Sequence, residues 1–191
     1  MRPRPVLLSL LALFCLIGCS MPRVIILNDP LDARQHNDLG VSYQQRGESD
    51  LAVREYGRAA ELDRQWARPL INLGNVQAER GEWGQAEKSY RQAMRREPGN
   101  AEAMNNLAWV LLRAEKTGEA LDWAEKAVAA NPREPAYLDT LAEIRIARHD
   151  YAGARQAIAE ALALDSPEEL RHSLEHKRAL LDTLSPLPQM Q

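Results

Sequence analysis

The sequence has few of the residues that build strands, disulfide bonds or a basic surface. Phe occurs once in 191 residues and runs of β-branched residues are nearly absent, while Ala, Leu, Glu, Arg and Gln dominate. Summed over long windows, these propensities favour helix over strand, so we expect an almost entirely α-helical chain. The net charge is only -3, and charges of both signs are interspersed. A basic stripe is therefore missing, and we expect no nucleic-acid partner.

Both cysteines lie within the first 19 residues. Two arginines there precede an apolar run, residues 6–18, which is too short to span a bilayer comfortably and has the length of a signal-peptide core. The end of the run resembles a bacterial lipobox: Leu16, Ile17, Gly18 and Cys19. This resemblance implies a signal peptide over residues 1–18 and a diacylglyceryl group on Cys19. Ser20 after the cysteine implies the periplasmic face of the outer membrane. The alternative is an ordinary secretory leader or an uncleaved anchor.

Residues 19–32 are predicted to form a tether after the lipid-modified cysteine. They contain the only sharply β-like patch of the chain, VIIL at residues 24–27, followed by turn residues at 28–30. The patch either packs on the first repeat or contacts a partner. We expect the first arrangement, because an exposed apolar patch would promote aggregation.

An internal repeat of 34 residues organises the rest of the chain. Four blocks match at this period: residues 33–66, 67–100, 101–134 and 135–168. Positions 8, 20 and 27 of every block are Gly or Ala, and Pro98 and Pro132 stand at position 32 of two blocks. The pattern resembles the tetratricopeptide repeat, which implies an all-α, right-handed superhelical solenoid of four helix-turn-helix repeats. Arg64 and Ser166 replace the proline in the outer blocks and leave the local turns open.

The hydrophobic spacing supports the same helices independently. Positions 4, 7, 8 and 11 of each block form one stripe of a first helix, and the small residues on it let a second helix approach closely. Breaks between the two helices are predicted at Gly47, Gly81, residues 116–118 and His149. Residues 169–184 are predicted to form a capping helix, and residues 185–191 a flexible tail. The leucines near one side of the capping helix are Leu170, Leu174, Leu181 and Leu184.

No arrangement of catalytic residues is readable in the sequence. It lacks a nucleophile with its base, paired carboxylates in a common pocket and a glycine-rich phosphate loop, so we expect no enzyme and no cofactor. His172 and His176 are four residues apart in the capping helix, a spacing that suits two metal ligands. The HExxH arrangement is absent, however, and a solvated helix face is the favoured interpretation. We therefore predict no metal site.

Each first helix leaves a second stripe at positions 2, 5, 6, 9 and 13, which in the repeat family lines a concave groove free to recognise partners. Asparagine recurs on this stripe, and its amide offers a donor and an acceptor to an extended peptide. Asparagines here can instead satisfy neighbouring helix or loop groups, and Trp109 can be a groove aromatic or pack on the adjacent repeat. The candidate protein-binding residues are Asn72, Asn75, Asn105, Asn106, Trp109, Arg113, Asp139 and Glu143.

Some members of the family clamp a C-terminal carboxylate with basic residues joined to asparagines. Asn75 and Asn106 match the asparagine positions, but Ile71, Ala136 and Thr140 stand where the basic residues should be. The resemblance therefore implies a lipid-anchored periplasmic scaffold that binds protein segments in its groove, without this clamp, and assists assembly of a pilus or secretion system. The alternatives are an adaptor for cell-wall enzymes, a soluble periplasmic peptide carrier and, less favoured, a metal-dependent enzyme.

Overall fold

The computed structural model describes residues 29–184. The predicted signal peptide, Cys19, the patch at residues 24–27 and the tail at residues 185–191 lie outside the described residues. Within the described part the chain forms nine α-helices and no strand. They are α1 Ala33–Gln45, α2 Ser49–Leu62, α3 Arg68–Glu79, α4 Trp83–Arg96, α5 Ala101–Arg113, α6 Thr117–Ala130, α7 Pro135–Ala147, α8 Tyr151–Ala163 and α9 Glu168–Leu184.

Consecutive helices pack side by side along the chain. Each first helix (α1, α3, α5, α7) packs on the second helix of its own repeat, each second helix packs on the next first helix, and α9 packs on α8. Neighbouring first helices also contact each other, and no comparably extensive contact joins neighbouring second helices within residues 29–184. The first helices therefore form the inner face of the stack. The prediction of an all-α solenoid of tetratricopeptide repeats is confirmed.

Each first helix ends in the same left-handed turn. The N–H after the left-handed residue donates to a carbonyl five residues earlier, at 2.9 Å in all four turns, which is the Schellman motif. The left-handed residues are Gly47 (φ 75°), Gly81 (φ 73°), Glu115 (φ 61°) and His149 (φ 61°). The predicted break at residues 116–118 is correct for Lys116 and wrong for Thr117 and Gly118, because α6 already begins at Thr117 and Glu115 takes the left-handed conformation. Gly118 lies inside α6.

A tyrosine fills the space that glycine leaves in each of the first two repeats. The rings of Tyr56 and Tyr90 are buried, and a Cβ atom added to Gly40 or Gly74 would lie only 2.7 Å or 2.6 Å from the respective ring. The third and fourth repeats have alanine at the glycine position and a smaller residue at the tyrosine position, namely Ala108 with Ala124 and Ala142 with Ile158. Helix spacing is thus set by complementary pairs of residues.

Polar side chains hold the two turns that lack the expected proline. In the turn after α2, the carboxylate of Asp63 accepts hydrogen bonds from two backbone N–H groups at 2.9 and 3.1 Å. Arg96, from the end of α4, donates to three carbonyl oxygens of α2 and this turn at 2.8 to 3.0 Å. After α8, the buried hydroxyl of Ser166 donates to the carbonyl of Ala161 at 3.0 Å. The departures from the repeat pattern therefore leave the fold intact.

The last helix, α9, covers the end of the stack. Leu174 and Leu181 are fully buried against the preceding repeat, and Leu170 is partly buried. The expectation that Leu184 belongs to the packed side is wrong, since its side chain is 53% exposed. Near the start of α8, Arg155 donates a hydrogen bond to the carbonyl of Leu181 at 2.7 Å. The residues of α9 that follow Leu181 therefore extend beyond the start of α8.

Candidate protein-binding groove

The inner face contains a cavity of about 370 Å³ among side chains of α3, α5 and α7. Four of the eight predicted groove residues meet there, and the other four, Asn72, Arg113, Asp139 and Glu143, lie outside its lining. The sequence did not single out Ala78 and Glu79 from α3, and it placed Thr140 at position 6 of the groove stripe without making it a candidate binding residue. The lining residues are Asn75, Ala78, Glu79, Asn105, Asn106, Trp109 and Thr140.

A chain of hydrogen bonds joins the asparagines of the cavity. Tyr90 donates its hydroxyl to Asn75 Oδ1 at 2.7 Å, and Asn106 Nδ2 donates to the same oxygen at 3.0 Å. Asn105 Nδ2 in turn donates to Asn106 Oδ1 at 3.4 Å. Burial raises the pKa of Tyr90 above its ordinary value, so its hydroxyl remains a donor at neutral pH. These hydrogen bonds fix the orientation of the amides. Among residues 29–184, they leave Asn105 Oδ1 buried without a hydrogen-bond partner.

A second hydrogen bond between side-chain amides joins α3 to α1. Asn72 Nδ2 donates to Asn37 Oδ1 at 2.9 Å, and Asn37 is only 7% exposed. The position 6 asparagines therefore do not bond each other: Asn72 bonds position 5 of the preceding repeat, and Asn106 bonds position 9. Asn72 and Asn106 therefore each use one N–H of the side-chain amide for a hydrogen bond to a neighbouring helix, as the second interpretation predicts.

Position 5 of the groove stripe is buried rather than free in the first three repeats, whereas Asp139 at this position of the fourth repeat is partly exposed. Asn37, Ile71 and Asn105 at this position are 7%, 0% and 9% exposed. They are covered because neighbouring first helices contact each other. The expectation that the whole stripe faces a partner is therefore wrong at this position, which forms the floor between repeats.

Trp109 forms an aromatic edge of the cavity with Trp83 of α4. Their ring centroids are 5.6 Å apart and the rings are nearly perpendicular, at 76°. The guanidinium of Arg113 lies 5.8 Å from both centroids, within the range of a cation–π contact. Trp109 thus satisfies both interpretations, because it packs on the second repeat and also lines the cavity. Arg113 does not line the cavity, but its guanidinium stacks on the two indole rings at its edge.

Asp139 and Glu143 bind a lysine of the capping helix. Lys177 Nζ lies 2.5 Å from Asp139 Oδ1 and 2.6 Å from Glu143 Oε1. Burial raises the pKa of Asp139, and Lys177 opposes the change. Burial alone would lower the pKa of Lys177, but its hydrogen bonds to the two carboxylates outweigh this effect and raise it. The only sequence signal for Lys177 was the pair of carboxylates four residues apart on one helix, which requires a counter-charge.

Across residues 29–184, no group of three or more His, Cys, Asp or Glu side chains is arranged to hold a metal ion. His172 and His176 are exposed on α9. None of the helices in this range is long and apolar enough to cross a membrane.

The chain resembles known proteins in sequence. A family model described as tetratricopeptide repeat matches residues 71–135. Over 130 residues the chain is 29% identical to the type IV pilus assembly protein PilF of Pseudomonas aeruginosa, a match that covers 67% of this chain and 52% of PilF. The chain therefore spans about half of the length of this relative.

Solved structures share the fold. The structure of Pseudomonas aeruginosa PilF has a TM-score of 0.67 at 24% identity and covers 84% of this chain and 79% of its own. MamA of Desulfovibrio magneticus has a TM-score of 0.70 at 20% identity, with coverage of 80% and 84%. The first TPR domain of Spaghetti, bound to an HSP90 peptide, has a TM-score of 0.60 at 18% identity, with coverage of 65% and 98%. Together with the repeat period and the helix packing, these similarities show that the chain has the fold of tetratricopeptide repeats, and the family model matches it over residues 71–135.

Proposed function

We propose that this protein is a lipid-anchored periplasmic scaffold whose groove holds a segment of another envelope protein during assembly of a pilus or secretion system. The cavity on the inner face carries the proposal. It places an indole edge, several amides and one carboxylate within a single concave surface. Binding sites for protein segments combine such aromatic anchors with a few fixed polar groups.

Two similarities support the choice of partner and process. Spaghetti, which shares the fold, binds a peptide of another protein, and PilF is a pilus assembly protein. The lipobox-like residues that end at Cys19 support attachment to a membrane. An anchor confines the scaffold to a surface, so even weak groove binding acts at a raised effective concentration on partners in the same membrane.

Site-specific photocrosslinking in cells tests the groove. A photoreactive phenylalanine derivative replaces Trp109, and in a matched control it replaces Trp123, another partly buried tryptophan on the second helix α6. We expect crosslinks to envelope proteins from position 109 and far fewer from position 123. Equal products from both positions, or none from position 109, would contradict the proposal.

Metabolic labelling with a radiolabelled fatty acid tests the anchor separately. We expect label on the wild-type protein and none on Cys19→Ser. Label that persists in the variant, or an unlabelled wild-type protein, would exclude lipid attachment at Cys19 while leaving the groove experiment unaffected.

A further inference from the structure

A cavity of about 700 Å³ lies between the second helices α2 and α4, beside residues of α3. It shares no lining residue with the cavity of the inner face. Its lining combines three arginines, Arg64, Arg95 and Arg96, with a single acid, Glu61. Glu61 Oε2 accepts a hydrogen bond from Arg58 at 3.4 Å, so this acid is shared with a fourth arginine outside the lining. The lining therefore carries an excess of positive charge.

The three arginines of this cavity have no acidic partner of their own. Within residues 29–184, none of them forms an ion pair with a carboxylate. Arg96 donates to the three backbone carbonyl oxygens of α2 and the following turn, and Arg95 donates to one carbonyl of α4 at 3.4 Å. A guanidinium has more N–H donors than these bonds use. Charged donors that the fold does not neutralise thus line one cavity.

The positive charges of the cavity act on each other. Burial lowers the pKa of Arg96 below its ordinary value, the charge of Asp63 opposes this change, and the charge of Arg64 adds to it. A cleft lined by charge of one sign concentrates the field and attracts counter-ions. An anion in the cavity reduces the repulsion between Arg64 and Arg96.

The packing of the repeats does not require these arginines. The equivalent cleft between α6 and α8 is also lined by leucines at positions 4 and 7 of the following first helix. Its charged lining residues are Glu125, Glu160 and Arg145, and Arg145 lies 3.4 Å from Glu125 in an ion pair. Neighbouring repeats therefore pack at this place without unpaired arginines. Arg96 holds the turn after α2, but no contact within residues 29–184 gives Arg64 a comparable role.

The cavity also has room for more than a single ion. Gly57 of α2 lines it without a side chain, and nothing lies within 4 Å of a Cβ atom added there. The volume falls within the range of roughly 300–1,000 Å³ that is usual for small-molecule sites. Ala60, Leu70 and Leu73 add apolar surface to the lining. A ligand with an anionic end and a less polar remainder fits this combination.

We propose that the cavity between α2 and α4 binds a phosphate monoester group. The guanidinium groups of Arg64, Arg95 and Arg96 donate to its oxygens, because their planar forks of N–H donors match phosphate geometry. A phosphate monoester carries a charge of about −1.5 to −2 at neutral pH, which balances the excess in the lining better than one carboxylate does. Arg96 is already held by three carbonyl oxygens, so only the two exposed arginines become ordered on binding. The site is separate from the groove of the proposed function.

Nitrogen-15 NMR of the full chain tests the site, with glycerol 3-phosphate as the probe. Succinate, a dicarboxylate, is the control anion at the same ionic strength. We expect the backbone signals of Trp66 and Gln92, beside the cavity, to shift saturably with glycerol 3-phosphate at millimolar concentrations, and succinate to bind about tenfold more weakly. The signals of Val128 and Gln156, in the equivalent cleft between α6 and α8, serve as internal controls.

Two double variants assign the contacts. Arg64→Gln with Arg95→Gln should lower the affinity for glycerol 3-phosphate about tenfold or more. Both side chains are exposed, so this variant should keep the helical content of the wild-type protein in circular dichroism. The matched control, Arg133→Gln with Arg148→Gln, removes the same charge from exposed positions that do not line the cavity, and it should bind the probe unchanged.

Dihexanoyl phosphatidic acid distinguishes a lipid headgroup from a soluble phosphate, because it is glycerol 3-phosphate with two short acyl chains. Tighter binding of the lipid, with shifts that extend to the amides of Leu70 and Leu73, assigns the site to a headgroup. Equal or weaker binding of the lipid assigns it to a soluble phosphate monoester.

The proposal is wrong if succinate binds as tightly as glycerol 3-phosphate, since the site then takes carboxylates. It is also wrong if both clefts shift alike, or if the variant without Arg64 and Arg95 binds the probe unchanged. None of these outcomes bears on the crosslinking experiment, because Trp109 does not line this cavity.

Discussion

Replacing Gly74 by alanine tests whether the paired residues at repeat positions 8 and 24 set the helix spacing. The new Cβ atom would lie 2.6, 2.8 and 2.9 Å from three ring carbons of Tyr90. Real Cβ atoms do not approach other carbons this closely, so the ring must move. It is only 2% exposed, and its hydroxyl is held by Asn75 at 2.7 Å, so it cannot move without losing packing or this hydrogen bond.

The size of the effect follows from three opposing contributions. Overpacking a buried site costs about 1–3 kcal/mol. Loss of the Tyr90 hydrogen bond costs about 1 kcal/mol more. Alanine in a helix interior is favoured over glycine by about 1 kcal/mol, which offsets part of this. We therefore expect Gly74→Ala to lower the free energy of unfolding by about 1–3 kcal/mol, and the melting temperature by about 2–4 °C for each kcal/mol.

Thermal unfolding followed by circular dichroism measures the change, with Gly57→Ala as the matched control. Gly57 also lies inside a helix, but nothing lies within 4 Å of a Cβ atom added there. Gly57→Ala should therefore stabilise the protein by about 1 kcal/mol, opposite in sign. The fourth repeat has Ile158 where the second has Tyr90. In a Tyr90→Ile background, Gly74→Ala should therefore become neutral or stabilising. A loss of stability that is the same in both backgrounds would refute the steric explanation.

Three further changes address the polar contacts. Lys177→Met should destabilise the protein by about 1–3 kcal/mol at neutral pH, because Asp139 loses its ion pair. Without Lys177 the pKa of Asp139 is raised further above its value in the unfolded chain. In urea titrations repeated at falling pH, the loss of stability should therefore shrink below that raised pKa. Asn72→Ala should cost about 1–3 kcal/mol in urea unfolding, because it leaves the buried Asn37 oxygen without this donor. Arg96→Met should cost about 1–3 kcal/mol and expose the end of α2 to hydrogen exchange, because three carbonyl oxygens lose their donor.

The sequence predicted the helices because their determinants are local and periodic. Small residues every 34 positions and apolar stripes do not depend on distant contacts. The pairing of Gly74 with Tyr90 was also visible, since glycine at position 8 occurs only with tyrosine at position 24 in these four repeats. The break at residues 116–118 was misplaced because Gly118 is not the turn residue. The Schellman turn needs only one residue with positive φ, and Glu115 adopts it.

The candidate site was predictable only in part. The stripe rule placed Asn75, Asn106 and Trp109 on the inner face correctly. The bonds between asparagines join position 6 to position 5 or 9 of the preceding repeat, and this offset depends on how far one repeat rotates relative to the next. The 34-residue period of the sequence does not specify that rotation. Lys177 lies in a helix outside the repeat register, so no repeat position pointed to it.

The position of the unsatisfied acceptor within the stack is consistent with additive stability of the repeats. In a solenoid, stability is approximately a sum of repeat and interface contributions, so an unfavourable group is tolerated best where both neighbouring interfaces are well packed. Asn105 lies on the third of four first helices, between α3 and α7, both of which contact α5. At the end of the stack, by contrast, the acidic pair of α7 is neutralised by Lys177. The chain therefore keeps its unsatisfied acceptor inside the stack, between two repeat interfaces, and closes the end of the stack with an ion pair.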